Sequence, residues 1–132
     1  MNQTTIRTVR TSADRNSFIK FLWKVYGDNP VWVPPLLMDR KKLIDKEKNP
    51  FYKHTDAEFY LAERNGEIIG RIGAIVNHNH IKEHNEKVGF FGFFECIDDQ
   101  EVADLLLNTA KDFLKTHNMT AMRGPANPSV ND

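Results

Sequence analysis

Glu95 closes a phenylalanine-rich run, Phe90, Phe91, Phe93 and Phe94, and a carboxylate beside aromatic rings is a candidate for moving a proton to or from a substrate. Its plainer role is a strand-end carboxylate that faces water or pairs with Arg71 on a neighbouring strand. Cys96 is the chain's one thiol. A nucleophilic cysteine needs a base and neighbours that stabilise the thiolate; the alternation of Cys96 with Phe94 and Phe90 points to buried packing instead. His78, His80 and His84 lie close together. On an extended segment His78 and His80 would aim both rings to one side, a geometry able to hold a metal ion. Only Glu83 and Glu86 accompany them, with no Asp or Cys at a fixed ligand spacing, so the segment reads as a solvated polar loop and no metal is expected. Arg123, followed by Gly124-Pro125 and Asn127, could grip a carboxylate or phosphate through two parallel hydrogen bonds, or cap a preceding helix. Trp23, Tyr26 and Trp32 could line an apolar pocket, and read first as a lid on the core. The basic run Arg40-Lys41-Lys42, with Lys46, Lys48 and Lys53, is neutralised by Asp39, Asp45, Glu47 and Asp56 and suits a solvated helix face.

The elements that must position these groups follow from hydrophobic spacing. Ile6–Arg10 reads as a short strand. Ser12 can cap the next helix, with Asp14 in its first turn, and Phe18, Phe21, Leu22 and Val25 fall on one face of it. Pro34-Pro35 suits a helix start, and Leu36, Leu37, Leu43 and Ile44 mark a second amphipathic helix ended by Asn49-Pro50. Phe59–Ala62 and Ile68–Val76 flank Asn65-Gly66, the pair that a type I′ hairpin turn favours because both residues need positive φ. Gly70 and Gly73 inside the second of these strands suggest a bulge or close packing by a neighbour. Val88–Ile97 is apolar on both faces, which predicts a central strand. Asp98 and Glu101 form an Asp-x-x-Glu capping box for a helix whose stripe is Val102, Leu105, Leu106, Ala110, Phe113 and Leu114, running to about His117. Met119–Met122 is a last strand, joined to the phenylalanine strand most simply by a right-handed parallel crossover.

Composition sets the bounds. The 132 residues suit one domain, and 40% hydrophobic with 27% charged residues excludes a disordered or fibrous chain. Eighteen basic residues balance eighteen acidic ones, which removes any electrostatic case for nucleic acid or an anionic membrane as partner. A single cysteine excludes a disulfide framework and fits a reducing cytoplasm. No stretch approaches the roughly 20 apolar residues that span a bilayer.

The resulting order, β-α-α-β-β-β-α-β with Asn65-Gly66 between the second and third strands, resembles the N-terminal two-thirds of the GNAT superfamily of acyl-CoA-dependent N-acyltransferases. The hairpin AEFYLAERNGEIIGRIGAIV (Ala57–Val76) carries the likeness. FFGFFECIDDQEVADLLLNTAKDFL followed by MRGPANPSVND further resembles a bacterial group of GNAT-like proteins. The resemblance implies an α+β (α/β) fold with a mostly antiparallel mixed sheet over residues 1–132. Two further strands of that fold find no residues here, so the chain is expected to be an N-terminal fragment of a longer protein, or to pair as a homodimer through the exposed sheet edge.

What the resemblance implies about function is acyl transfer from acyl-CoA or acetyl-CoA, as co-substrate, to a small-molecule acceptor. Glu95 would then be the base that deprotonates the acceptor amine. The backbone groups of Phe94, Glu95, Cys96 and Ile97 would meet the pantetheine arm, because the strand splays from its neighbour there. The family's pyrophosphate motif, Gln/Arg-x-x-Gly-x-Gly/Ala, falls on Asp98–Ala103, where only Ala103 fits. Asp98 stands at the Gln/Arg position and Glu101 at the first glycine. Their charges oppose a pyrophosphate by more than the ~0.3–1 kcal/mol that a helix dipole returns. The pyrophosphate loop is therefore expected to be divergent or absent, and a non-enzymatic ligand-binding or assembly module on the same fold is the competing expectation.

Overall fold

In the computed structural model, the structure describes residues 3–26, 44, 46, 52–53 and 55–125. The expected second helix, with most of the basic run, Trp32, and Asn127, lies outside the described residues. Of that stretch Ile44 is described, as a buried turn residue.

The first strand, β1 (Thr5–Thr8), leads to helix α1 (Ser12–Tyr26). The cap of α1 is Thr11 rather than Ser12, in a reciprocal arrangement. Thr11 Oγ1 accepts the Asp14 amide at 3.0 Å, while Asp14 Oδ2 accepts the amides of Arg10 at 3.1 Å and Thr11 at 3.4 Å. These bonds, led by the Arg10 amide and helped by the Arg7 guanidinium, hold the Asp14 carboxyl below its ordinary value of 3.8. A carboxyl lowered by folding stabilises above its unfolded value, and that contribution is lost as pH falls through the folded one. Asp14→Ala should therefore cost about 0.5–2 kcal/mol at pH 7, by denaturant midpoint, with the gap to wild type closing below about pH 4. Phe18, Phe21 and Leu22 are buried as the spacing predicts; Val25 is 37% exposed and Ile19 takes its place in the core.

Strands β2 (Thr55–Arg64) and β3 (Glu67–Asn77) form the expected hairpin, with Asn65 at φ 54° and Gly66 at φ 75° in the turn. A short helix α2 (His78–His84) follows where the sequence suggested a polar loop. Asn77 Oδ1 caps it by accepting the amides of Asn79 and His80, and Asn85, left-handed at φ 52°, ends it. Then come β4 (Val88–Cys96), helix α3 (Gln100–Thr116) and β5 (Ala121–Arg123). The sheet order is β1-β2-β3-β4-β5, antiparallel except for the parallel β4–β5 pair. The phenylalanine strand is interior, flanked by β3 and β5; the centre belongs to β3.

Alternation along the strands splits the core into two layers. On one face α1 packs Phe18 and Ile19 against Phe59, Leu61, Ile75 and Phe93. On the other, α3 packs Val102, Leu106, Ala110 and Leu114 against Ala62, Ile69, Ile72 and Val76. Both glycines of β3 mark close approaches, as expected. The space a Cβ would fill at Gly73 is held by the Phe59 and Phe93 rings. At Gly70, beside the β2–β3 register shift, a Cβ would sit 2.7 Å from Leu106 Cδ1 and 2.9 Å from Cys96 Cβ. Gly70→Ala should lower stability by about 1–3 kcal/mol in a denaturant titration, since helix and strand must part to admit the methyl. No helix among the described residues is long and apolar enough to cross a membrane.

Candidate active site

β4 and β5 are paired only from Val88↔Ala121 to Phe90↔Arg123, yet β4 runs on to Cys96. Beyond Phe90 the β4 edge lies outside the β4–β5 ladder among the described residues, and Gly124 still abuts the Phe91 carbonyl; the stretch of β4 edge past that contact is a candidate notch. The strand is also bulged there. Gly73 faces Gly92 and Arg71 faces Glu95, so Phe93 and Phe94 together oppose the single residue Ile72. Phe93 adopts φ 56°, in the left-handed region.

The extra residue resets which way each side chain points. Phe90 and Phe93 both belong to the α1 face, where the Phe93 ring lies 5.7 Å from Phe18 and 6.0 Å from Phe59. Phe91, Phe94 and Cys96 belong to the α3 face, with Phe91 and Phe94 edge to face at 6.0 Å. The expected alternation of Cys96 with Phe94 holds, but Phe90 sits on the opposite face because the bulge intervenes.

Glu95, half-buried, is directly opposite Arg71 and so projects to the α1 face with it. Arg71 is 4% exposed. Its Nη1 donates to the Phe18 carbonyl at 2.8 Å, and its guanidinium lies over Phe18 at 4.9 Å and Phe93 at 5.6 Å. A buried cation therefore stands beside Glu95, anchored to a helix carbonyl and two rings.

The four backbone positions expected to meet a pantetheine arm are not equivalent. The Ile97 amide donates to the Ile69 carbonyl at 3.0 Å. In an antiparallel ladder bonded pairs alternate with non-bonded ones, so Glu95, like Ile97, turns its backbone groups toward β3. Cys96, and Phe94 two residues before it, turn theirs toward the notch. The Cys96 thiol is pushed up by burial first and by Asp99, Glu95 and Asp98 after that, the wrong direction for a nucleophile.

Helix α3 begins at the foot of the notch. Its cap is Asp99, one residue later than the sequence suggested. Asp99 Oδ1 accepts the Glu101 amide at 3.0 Å and Oδ2 accepts Arg64 Nη2 at 3.1 Å. Arg64 also donates through Nε and Nη2 to Thr4 Oγ1 at 3.1 and 2.8 Å. Sequence reasoning missed Arg64 altogether: a lone charge at a strand end carries no local signal, because its partner is 35 residues away.

Helix α2 separates His78, paired with Asp56, from the adjacent His80 and His84. His78 Nε2 meets Asp56 Oδ2 at 2.8 Å, while His80 Nε2 meets Glu86 Oε2 at 3.3 Å and its ring lies tilted against His84 at 4.5 Å and edge to face with Phe90 at 5.0 Å. Among the described residues no three or more His, Cys, Asp or Glu side chains are arranged to hold a metal ion. Arg123, at the last β4–β5 pair, lies 3.8 Å from the same Glu86 oxygen and is 61% exposed at its side chain.

No family model matches the chain. It is 32% identical over 126 residues to Protein YghO of Escherichia coli (strain K12), covering 96% of this chain and 32% of that protein. It is 31% identical over 125 residues to the bacterial ceramide synthase of Caulobacter vibrioides (strain NA1000 / CB15N), covering 94% of this chain and 33% of that protein. The chain thus spans about a third of the length of the curated relatives it matches. Among solved structures, it superposes on a tandem GNAT protein from the clavulanic acid biosynthesis pathway with TM-score 0.68, 10% identity, and coverage of 92% of this chain and 35% of that one. On the aminoglycoside N-acetyltransferase AAC(6')-Iy, solved in complex with CoA, the TM-score is 0.67 at 12% identity, covering 96% and 78% of the two chains.

Proposed function

We propose that this chain, which has the fold of the GNAT acyltransferases, is the N-terminal part of a longer cytoplasmic enzyme that moves a fatty acyl group from a thioester donor onto the amine of a long-chain amino alcohol. The observation that carries the acyl-transfer reading is the β4 edge: its ladder with β5 ends at Phe90, the strand bulges at Phe93, and the backbone groups of Phe94 and Cys96 turn away from β3. An amide-bearing arm can pair along such an edge as an added strand would. The acceptor class is suggested by the relative named a ceramide synthase, since a ceramide is a fatty acyl amide of a long-chain amino alcohol.

In this reading Glu95 takes the proton that the attacking amine releases, directly or through one water. The new bond joins the amine nitrogen to the acyl carbon, the carbon–sulfur bond breaks, and the proton ends on the departing sulfur. Arg71, fixed by the Phe18 carbonyl, holds one positive charge beside Glu95 on the same face. Donors of the CoA type are supported by a neighbour solved with CoA. The β4 edge is where the arm of such a donor would lie; at the start of α3, Asp98, Asp99 and Glu101 do not suit its diphosphate.

That acidic helix start is also the one observation favouring a second reading, a binding module that kept the fold and lost catalysis. The test is direct. The complete natural protein is incubated with palmitoyl-CoA and sphinganine, and the amide is sought by mass spectrometry. Enzyme-dependent amide is the expected result; no amide from a panel of long-chain and short-chain amines, with folded protein, overturns the enzyme reading in favour of the module.

A further inference from the structure

The amide-rich start of α3 lies beside the notch, where a nucleotide donor would bring its diphosphate. It is already taken. The Asp99 carboxylate receives the Glu101 amide through Oδ1, one of the amides an incoming anion would need. Its other oxygen is held by Arg64, and Arg64 is held in turn by Thr4, just ahead of β1. The Arg64 bond is the first reason the Asp99 carboxyl is held below the ordinary range, so it stays charged and bonded at any neutral pH. The turn from Ile97 to Ala103 contains no glycine to bring bare backbone close to a ligand. Asp98 and Glu101 stand exposed on the same turn, so three carboxylates confront any anion, and among the described residues Arg64 is the cation paired with them.

We infer that the Thr4–Arg64–Asp99 contact is a clasp tying β1, β2 and α3 together, and that the acyl donor is recognised at this unit through its thioester arm and acyl chain without a diphosphate contact at α3. The inference rests on the acyl-transfer reading for its donor and stands independently for its clasp. Clasp and cradle differ in what the same residues should do when changed. In a clasp Arg64 and Asp99 act as a pair on stability. In a cradle Arg64 would leave Asp99 for the ligand, and the neighbouring carboxylates would weaken binding.

The experiment uses the complete protein, with CoA as probe in calorimetry and thermal unfolding as the second readout. Arg64→Ala and Asp99→Ala should each lower Tm by about 2–4 °C, with the double variant losing clearly less than the sum of the two, because the Arg64–Asp99 bond is counted in both. Asp98→Asn combined with Glu101→Gln leaves the clasp intact and removes two charges from the turn; CoA affinity should change less than twofold. Palmitoyl-pantetheine should support amide formation in the wild type. A fivefold or greater tightening of CoA in the neutralised variant, or a tenfold loss on Arg64→Ala with Tm unchanged, would overturn the inference and make α3 a diphosphate site. If no thioester yields amide, the acyl-transfer reading falls, and the Tm cycle still decides the clasp: single variants that leave Tm unmoved defeat it.

Discussion

Glu95→Gln in the complete protein should lower kcat for amide formation by roughly 10²–10⁴-fold while the KM for the thioester stays within twofold. The substitution keeps the size and shape of the side chain, so the half-buried site on the α1 face is not reshaped. What it removes is the capacity to take a proton. An amine that attacks a thioester must shed one proton before the bond can hold, and a neutral amide cannot receive it. The competing role, an ionic partner for Arg71, makes the opposite forecast. Arg71 is 4% exposed, and a buried cation deprived of a facing carboxylate destabilises the fold. A drop in Tm with kcat unchanged would therefore assign Glu95 to structure. Measuring both on one preparation separates the two roles.

The parts of the fold legible in the sequence are those whose signal is local. Asn65-Gly66 fixed the hairpin because few residue pairs tolerate two positive φ values in succession. The stripe Val102, Leu106, Ala110, Leu114 named α3 because its period and its burial are one fact seen twice. Helix α2 gave no such stripe: none of its residues is buried, and only its two flanking asparagines betray it. The caps of α1 and α3 each slipped by one residue among adjacent candidates, Thr11 or Ser12 and Asp98 or Asp99, since either side chain can accept an amide and the tertiary partners decide. For α3 the deciding partner is Arg64, and nothing near it in the sequence points across to Asp99.

The site was half legible for the same reason. That both faces of β4 are packed follows from its phenylalanines; the expected meeting of a pantetheine arm with Phe94–Ile97 comes from the family likeness alone. Which backbone groups face the notch depends on the bulge, and a bulge is a relation between two strands that no run of one strand encodes. Ile72 meeting two residues of β4 is what turns Phe93 inward and sets Cys96 rather than Ile97 against the notch.

Phe93→Ala should cost about 3–5 kcal/mol by denaturant titration of the transition that includes this sheet, the usual loss for a buried phenylalanine. The ring is 6% exposed and completes the cluster with Phe18, Phe59 and the Arg71 guanidinium. It also holds a backbone at φ 56°, a conformation that costs a residue with a side chain about 1–2 kcal/mol. The two effects can be told apart with Phe93→Gly. Within a regular strand glycine is the worse choice than alanine by about 0.5–1 kcal/mol. At a left-handed position the order reverses, because glycine adopts positive φ without penalty. Phe93→Gly should thus be more stable than Phe93→Ala by about 1 kcal/mol, although both lose the ring. The opposite order would mean that β4 runs straight past Ile72, and the outward turn of Phe94 and Cys96, on which donor pairing at the notch depends, would go with it.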